Sequence, residues 1–167
     1  MDLDEAVVVA MGGNLAFEGR DVQAVLQAAY DGLWTEGLEP CARSRWWRSA
    51  AWPDPSEPAF LNAIALVRTD LDPHGVMQAL RRIEAAFGRR RAEPNAPRSL
   101  DLDLIAYGRR VIDEPGLIVP HPRAADRRFV MGPLAEIAPA WRHPVLGKTA
   151  LALTGLAKVG ADARPVD

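Results

Sequence analysis

Six consecutive apolar residues, Ala6-Val7-Val8-Val9-Ala10-Met11, open the hydrophobic pattern of this chain. A run this short and rich in valine predicts a buried strand, and Gly12-Gly13-Asn14 ends it as a turn. Between residues 20 and 33, Val22, Val25, Leu26 and Ala29 recur at helical spacing. Residues 41–49 and 60–69 read as two further strands. The segment between them contains Pro53, Pro55 and Pro58, which lack backbone donors, forbid regular pairing and stiffen a loop. Asp72-Pro73 then opens a helix, with proline in its first turn. It carries Val76, Leu80 and Ile83 as far as residue 87, where Gly88 stops it. Residues 89–97 form a polar loop, and residues 99–107 alternate as a strand with one buried face. Beyond lie a short strand at Ile118-Val119, a helical turn at 133–137 and a C-terminal helix from Thr149. The order β-α-β-β-α-β predicts an α+β fold, a ferredoxin-like antiparallel sheet (βαββαβ) with helices packed on one side and C-terminal additions. No repeat, low-complexity tract or linker interrupts the pattern, so residues 1–167 are expected to form a single domain.

One strand carries more than packing information. In Leu100-Asp101-Leu102-Asp103-Leu104 the three leucines take one face and the two aspartates the other. The aspartate Cα atoms then stand about 6.5–7 Å apart, from a rise of roughly 3.3 Å per residue. Alternating Leu and Asp also describes a solvated sheet edge. Aspartate is disfavoured in strands, however, and two on one face repel each other. A hard cation compensates for that repulsion. Magnesium takes oxygen ligands and is usually completed by water and substrate phosphates.

Composition changes this picture mainly through its arginines. The chain is 49% apolar and 25% charged, which excludes a disordered chain. Its net charge of −2 gives no general pull toward nucleic acid or an anionic membrane, and neither is expected as a partner. Lysine occurs only at positions 148 and 158, so eighteen of the twenty basic residues are arginine. Six of these fall between Arg81 and Arg98, immediately before the acidic pair. The guanidinium fork suits phosphate oxygens. Paired carboxylates fed by an arginine-rich loop therefore point to a triphosphate site that works by positioning and charge neutralisation. Cys41 is the single cysteine, which excludes an internal disulfide and a cysteine-built metal site. An acidic start, Met1-Asp2-Leu3-Asp4-Glu5, and the lack of any long apolar run predict a cytoplasmic protein.

The segment Pro97-Arg98-Ser99-Leu100-Asp101-Leu102-Asp103-Leu104 resembles the signature of the 6-hydroxymethyl-7,8-dihydropterin pyrophosphokinases of folate biosynthesis. The resemblance spans residues 8–151 in order. It takes in Gly12-Gly13-Asn14-Leu15, Phe60-Leu61-Asn62-Ala63, Arg82-Ile83-Glu84, Gly88-Arg89-Arg90-Arg91, Val119-Pro120-His121-Pro122-Arg123, Arg127-Arg128-Phe129-Val130 and the Pro133 to Pro139 segment. It implies that ATP, as co-substrate, gives its β,γ-pyrophosphoryl group to the hydroxymethyl oxygen of a reduced pterin and releases AMP. By position, Asp101 and Asp103 are implied to hold two magnesium ions. Arg89, Arg91 and Arg98 are implied at the triphosphate as catalytic residues. Glu84, His121 and Arg127 are implied as further nucleotide contacts, and Ser49, Phe60, Asn62 and Phe129 as the pterin pocket. Aromatic faces for a flat heterocycle and an amide for its donor–acceptor edge also make chemical sense unaided.

Three positions depart from the family pattern. Asn95-Ala96 stands where Trp-Gly is common, Gly12-Gly13-Asn14 where Gly-Ser-Asn is usual, and Phe60 where tyrosine is frequent. Two other readings stay open on the residues alone. One is a ferredoxin-like nucleic-acid-binding module using the arginines and aromatics, which the acidic pair opposes. The other is a different magnesium-dependent phosphoryl or nucleotidyl transferase. No side chain stands out as a general base, and no protein partner is indicated.

Overall fold

The computed structural model describes residues 1–51, 53–88 and 99–166. Arg89, Arg91 and Arg98, together with Asn95 and Ala96, lie outside the described residues. The elements in chain order are β1 (Val7–Gly13), α1 (Val22–Gly32), β2 (Glu39–Arg43), β3 (Trp47–Ser49), β4 (Phe60–Arg68), α2 (Pro73–Ala86), β5 (Asp101–Tyr107), β6 (Ile112–Glu114), β7 (Leu117–Val119), α3 (Arg128–Ile137), α4 (Ala150–Leu156) and β8 (Arg164–Pro165). Short 3-10 turns follow α1 and precede α3. Both early helices begin where a side chain takes up orphan donors. Asp21 accepts from Ala24 N at 2.8 Å, and Asp72 accepts from Gly75 N at 2.7 Å with Pro73 next in line.

The main sheet runs β5-β1-β4-β3-β8, with β2 pairing β4 beside β3, and these pairings are antiparallel. Strands β6 and β7 form a separate two-stranded hairpin. Side-chain parity divides the sheet into two cores. Val7, Val9, Met11, Ala63, Ala65, Val67, Leu102 and Leu104 pack against α1 and α2. Val8, Ile64, Leu66, Ile105 and Ala106 pack against Val130, Met131 and Leu134 of α3 and Leu153 of α4. Helices therefore cover both faces, where the sequence pattern predicts only one. The cause is legible afterwards: the central strands are apolar on both sides, so the second face also needs a cover.

A second difference is local. The strand expected over residues 41–49 is two strands, β2 and β3, both paired to β4. Ser44 lies between them, buried, and donates its backbone N–H to Ile64 O at 2.9 Å. The returning bond from Ile64 N goes to Ser44 Oγ at 3.0 Å. A side chain thus completes the ladder where the backbone turns away. Strand alternation sends the adjacent tryptophans to opposite layers. Trp46 joins the α1–α2 core beneath the Arg43 guanidinium, which stands 4.2 Å from its ring. Trp47 lies against Gly132 of α3 and donates its indole N–H to Glu136 at 3.2 Å.

The helix expected over 133–137 begins earlier, at Arg128, and holds Pro133 inside it. No helix among the described residues is long and apolar enough to cross a membrane.

Ser44→Ala is expected to leave Ile64 N–H buried and unsatisfied. The loss is about 1–3 kcal/mol, measured as a shift in the urea unfolding midpoint. An unchanged midpoint would show that the backbone closes the break without the hydroxyl.

Candidate active site

Strand register assembles the predicted residues. Trp47 pairs with Asn62, Asn62 with Gly12, and Gly12 with Asp101, so these four lie in one row across the sheet. The next row holds Ile64, Ala10 and Asp103. On the other side of the first row, Ser49 pairs with Phe60. All of these side chains share the face covered by α3. Two strand spacings separate Asn62 from Asp101, about 9.5 Å. Gly12 occupies the middle of that gap. A Cβ there would fall 2.5 Å from Asn62 Oδ1, so the amide leans over the glycine into the space the missing side chain leaves.

The aspartates are half-buried, opposite the small residues Ala10 and Gly12. Strand β5 is an edge strand, and its outer side is secured from two directions. Glu84, a buried carboxylate on α2, accepts from Leu102 N at 2.9 Å, between the two aspartates. His121 N donates to Ile105 O at 2.8 Å. Glu84 thus reaches the strand edge from the leucine side, rather than standing on the aspartate face with the other predicted residues. The ends of the arginine-bearing loop are drawn together close by, where Ser99 Oγ donates to Phe87 O at 2.6 Å. The loop residues Arg89, Arg91 and Arg98 are outside the described residues.

His121 and Arg127 complete the face. The Arg127 guanidinium stands 5.7 Å from the Phe129 ring. Burial lowers the Arg127 pKa, and the charges of Asp103 and Asp101 oppose that shift. His121 Nδ1 accepts from Arg123 N at 3.2 Å, so the ring proton sits on Nε2. Burial, reinforced by the positive charges of Arg127 and Arg123, lowers the His121 pKa to about 4, while Asp101 pulls the other way. At neutral pH the imidazole is therefore uncharged and presents an N–H donor. Phe60, Asn62 and Phe129 are half-buried, and Ser49 is buried.

The donor set suits magnesium. It offers two carboxylates on one face with little bulk opposite them. Among the described residues there is no cluster of three or more His, Cys, Asp or Glu side chains able to hold a metal. Ligands from outside the protein would complete such a site. Pattern reasoning missed the contributions of Gly12 and Arg123. Gly12 was visible as a turn and motif residue but not as the neighbour that makes room for Asn62, and Arg123 acts through its backbone.

Comparison with known proteins gives a consistent result. The family model described as 7,8-dihydro-6-hydroxymethylpterin-pyrophosphokinase (HPPK) matches residues 8–139. The 2-amino-4-hydroxy-6-hydroxymethyldihydropteridine pyrophosphokinase of Synechocystis sp. is 43% identical over 147 residues, covering 87% of this chain and 73% of that protein. The enzyme of the same name from Methylorubrum extorquens is 38% identical over 132 residues, covering 78% and 81%. The folic acid synthesis protein of Pneumocystis carinii is 35% identical over 144 residues, but this chain spans only 19% of its length. Among solved structures, the wild-type HPPK-DHPS of Plasmodium falciparum superimposes with a TM-score of 0.70 at 13% identity. That superposition covers 90% of this chain and 44% of that one, and it bears on the fold alone.

Two outcomes are expected from this geometry. Gly12→Ala should displace the Asn62 amide with little loss of stability, under about 1 kcal/mol, because a side-chain end yields rather than backbone. Unchanged Asn62 side-chain NH2 resonances would contradict this. In the free protein, NMR should find His121 titrating near pH 4. Its unfolded value of 6.5 is higher, so the associated stability is full above about pH 6.5 and is lost as pH falls through 4. A midpoint near 6.5 would show that burial does not govern this ring.

Proposed function

The chain belongs to the 7,8-dihydro-6-hydroxymethylpterin-pyrophosphokinase family, and from that premise we propose how its residues perform the reaction. ATP gives its β,γ-pyrophosphoryl group to the hydroxymethyl oxygen of 6-hydroxymethyl-7,8-dihydropterin, a step of folate synthesis. The hydroxymethyl O–H proton leaves to solvent as that oxygen bonds the β-phosphorus, the bond from the β-phosphorus to the α,β-bridging oxygen breaks, and AMP departs. The observation that carries this reading is the row Asn62–Gly12–Asp101. It sets an amide able to recognise a heterocycle edge about two strand spacings, some 9.5 Å, from a carboxylate pair. That separation suits a bicyclic pterin whose hydroxymethyl arm reaches toward the aspartates.

Asn62 offers both a donor and an acceptor to the pterin's amide-like edge. Phe60 and Phe129 supply faces for the ring, and buried Ser49 closes the end of the pocket. His121, neutral with its proton on Nε2, donates to a phosphate oxygen, and Arg127 holds opposing charge beside it. Arg89, Arg91 and Arg98 are assigned to the triphosphate from their place in the sequence. Glu84 serves the nucleotide through the strand it secures. Asp101 and Asp103 would hold two magnesium ions, which supply charge neutralisation and align the attacking and leaving oxygens.

Antiparallel pairing with two helices between the strands supports a ferredoxin-like βαββαβ frame, with α3, α4 and β8 as C-terminal additions. We take residues 1–167 as one domain acting in the cytoplasm.

Incubation with ATP, magnesium and the pterin should release AMP. ADP would indicate simple phosphoryl transfer, and free pyrophosphate would indicate nucleotidyl transfer. Asp101→Ala and Asp103→Ala should each lower kcat by about a thousandfold or more with the fold retained. Near-normal magnesium-dependent turnover in both variants would sink the metal assignment.

A further inference from the structure

Residues 157–166 lie beyond the stretch that matches the family model, yet they are tied to both walls of the proposed pterin pocket. Leaving α4, the chain runs beside the start of α3. Lys158 N donates to Asp126 Oδ1 at 3.1 Å, Val159 N to Asp126 O at 2.9 Å, and Arg128 N to Val159 O at 2.9 Å. It then turns at Gly160, whose φ is +69°, and Ala163 N closes the turn on Gly160 O at 2.9 Å. A Cβ at residue 160 would fall 2.6 Å from Cδ1 of Phe129. Only glycine meets both demands, a left-handed backbone and a backbone pressed against an aromatic ring.

The same turn reaches the opposite wall. Asp162 Oδ2 accepts from Ala50 N at 2.8 Å, at the residue immediately after Ser49. Buried Ala163 accepts from Arg128 Nε at 3.2 Å. Strand β8 then pairs with β3, Pro165 opposite Trp47 and Arg164 opposite Arg48. Val166 N ends the run on Trp46 O at 2.8 Å. Ten residues thus strap the α3 wall, which carries Phe129, to the β3 wall, which carries Ser49.

We propose that Gly160 and Asp162 are positioning residues for the pterin. Gly160 sets the plane of the Phe129 ring, and Asp162 sets the backbone that leaves Ser49. The inference rests on the assignment of Phe129 and Ser49 to the pterin pocket. It adds that the width of the pocket is determined by a segment outside the family match. Val159, next to Gly160, bridges Arg127, so the strap also touches the nucleotide side, and the proposal requires the pterin KM to move more than the ATP KM.

The test measures KM for the pterin and for ATP separately in Gly160→Ala, Asp162→Ala, Asp162→Asn and Phe129→Ala. Asp162→Ala should raise the pterin KM by about three- to tenfold, the factor of one ordinary hydrogen bond, and Gly160→Ala should raise it too, each with a smaller change in the ATP KM. Asp162→Asn keeps an acceptor oxygen and should restore the pterin KM. If Phe129→Ala leaves the pterin KM unchanged, the pocket assignment fails and the strap proposal falls with it. If Phe129→Ala raises it while Gly160→Ala and Asp162→Ala do not, the pocket stands and the strap proposal is overturned. Equal rises in both KM values, without rescue by Asp162→Asn, also overturn it, because the segment would then serve stability alone. Should Gly160→Ala fail to fold, the two Asp162 variants decide the matter.

Discussion

A slip of one residue in the pairing of β1 with β5 would turn Asp101 and Asp103 into the core and Leu102 and Leu104 out of it. The rest of the site depends on that register. Strand β1 does not set it alone, because Val7 and Val9 are buried on one face and Val8 on the other. The constraint comes from β5, where the leucines have one buried destination and the aspartates have none. A bulge then lets one strand satisfy two cores. Val8 pairs with Ala106 and Val9 with Leu104, leaving Ile105 as the extra residue. Ile105 and Ala106 consequently both face the α3 core. Before the bulge the strand presents carboxylates to that face; after it, the strand presents apolar side chains. A bulge on an edge strand beside an active site is a usual way to re-aim side chains.

An edge strand is the least restrained place in a sheet, and this one carries the charged pair. Here its free side is occupied. The Glu84 carboxylate takes the Leu102 amide, and the His121 amide takes the Ile105 carbonyl. A buried carboxylate is costly unless hydrogen-bonded, and Glu84 meets that condition by accepting from backbone. The result links α2 to the acidic pair without placing α2 on the aspartate face. The same segment that pins β5 through its backbone also carries the His121 imidazole into the site. Position and chemistry therefore come from one residue.

Much of this was readable beforehand, for identifiable reasons. Period-two alternation is enough to pair Asp101 with Asp103. Asp72-Pro73 marks the start of α2 where local chemistry says it should be, whereas Asp21, which caps α1, is identified only by the structure. The break at Ser44 was not readable, because no glycine, proline or other turn signal marks residues 41–47 and the deciding bond is donated by the distant Ile64 amide to a side chain. The early start of α3 was hidden by Pro133, which reads as a first-turn residue and sits inside the helix instead. The C-terminal strap has no hydrophobic period at all. Its order comes from backbone bonds to Asp126, Arg128 and Trp46, partners far away in sequence. Asn62 and Gly12 were each visible as motif residues, but that one leans over the other follows only from register.

The electrostatics of the face explain why a neutral histidine belongs there. In the proposed reading the two carboxylates hold a divalent cation, and a fixed positive charge beside them would compete for that role. Arg127 already supplies one such charge, held half-buried within reach of both aspartates. A second cation at position 121 would weaken metal binding while adding little to phosphate binding. Burial together with Arg127 and Arg123 removes that charge by lowering the His121 pKa to about 4. What remains is an oriented Nε2–H, fixed because Nδ1 is committed to the Arg123 amide. In the proposed reading such a neutral donor would serve a phosphate oxygen without competing with a cation for the aspartates. Burial first, and then the charges of Arg127 and Arg123, therefore keep the imidazole uncharged, and in the proposed assignment Arg127 would at the same time turn its charge to the nucleotide.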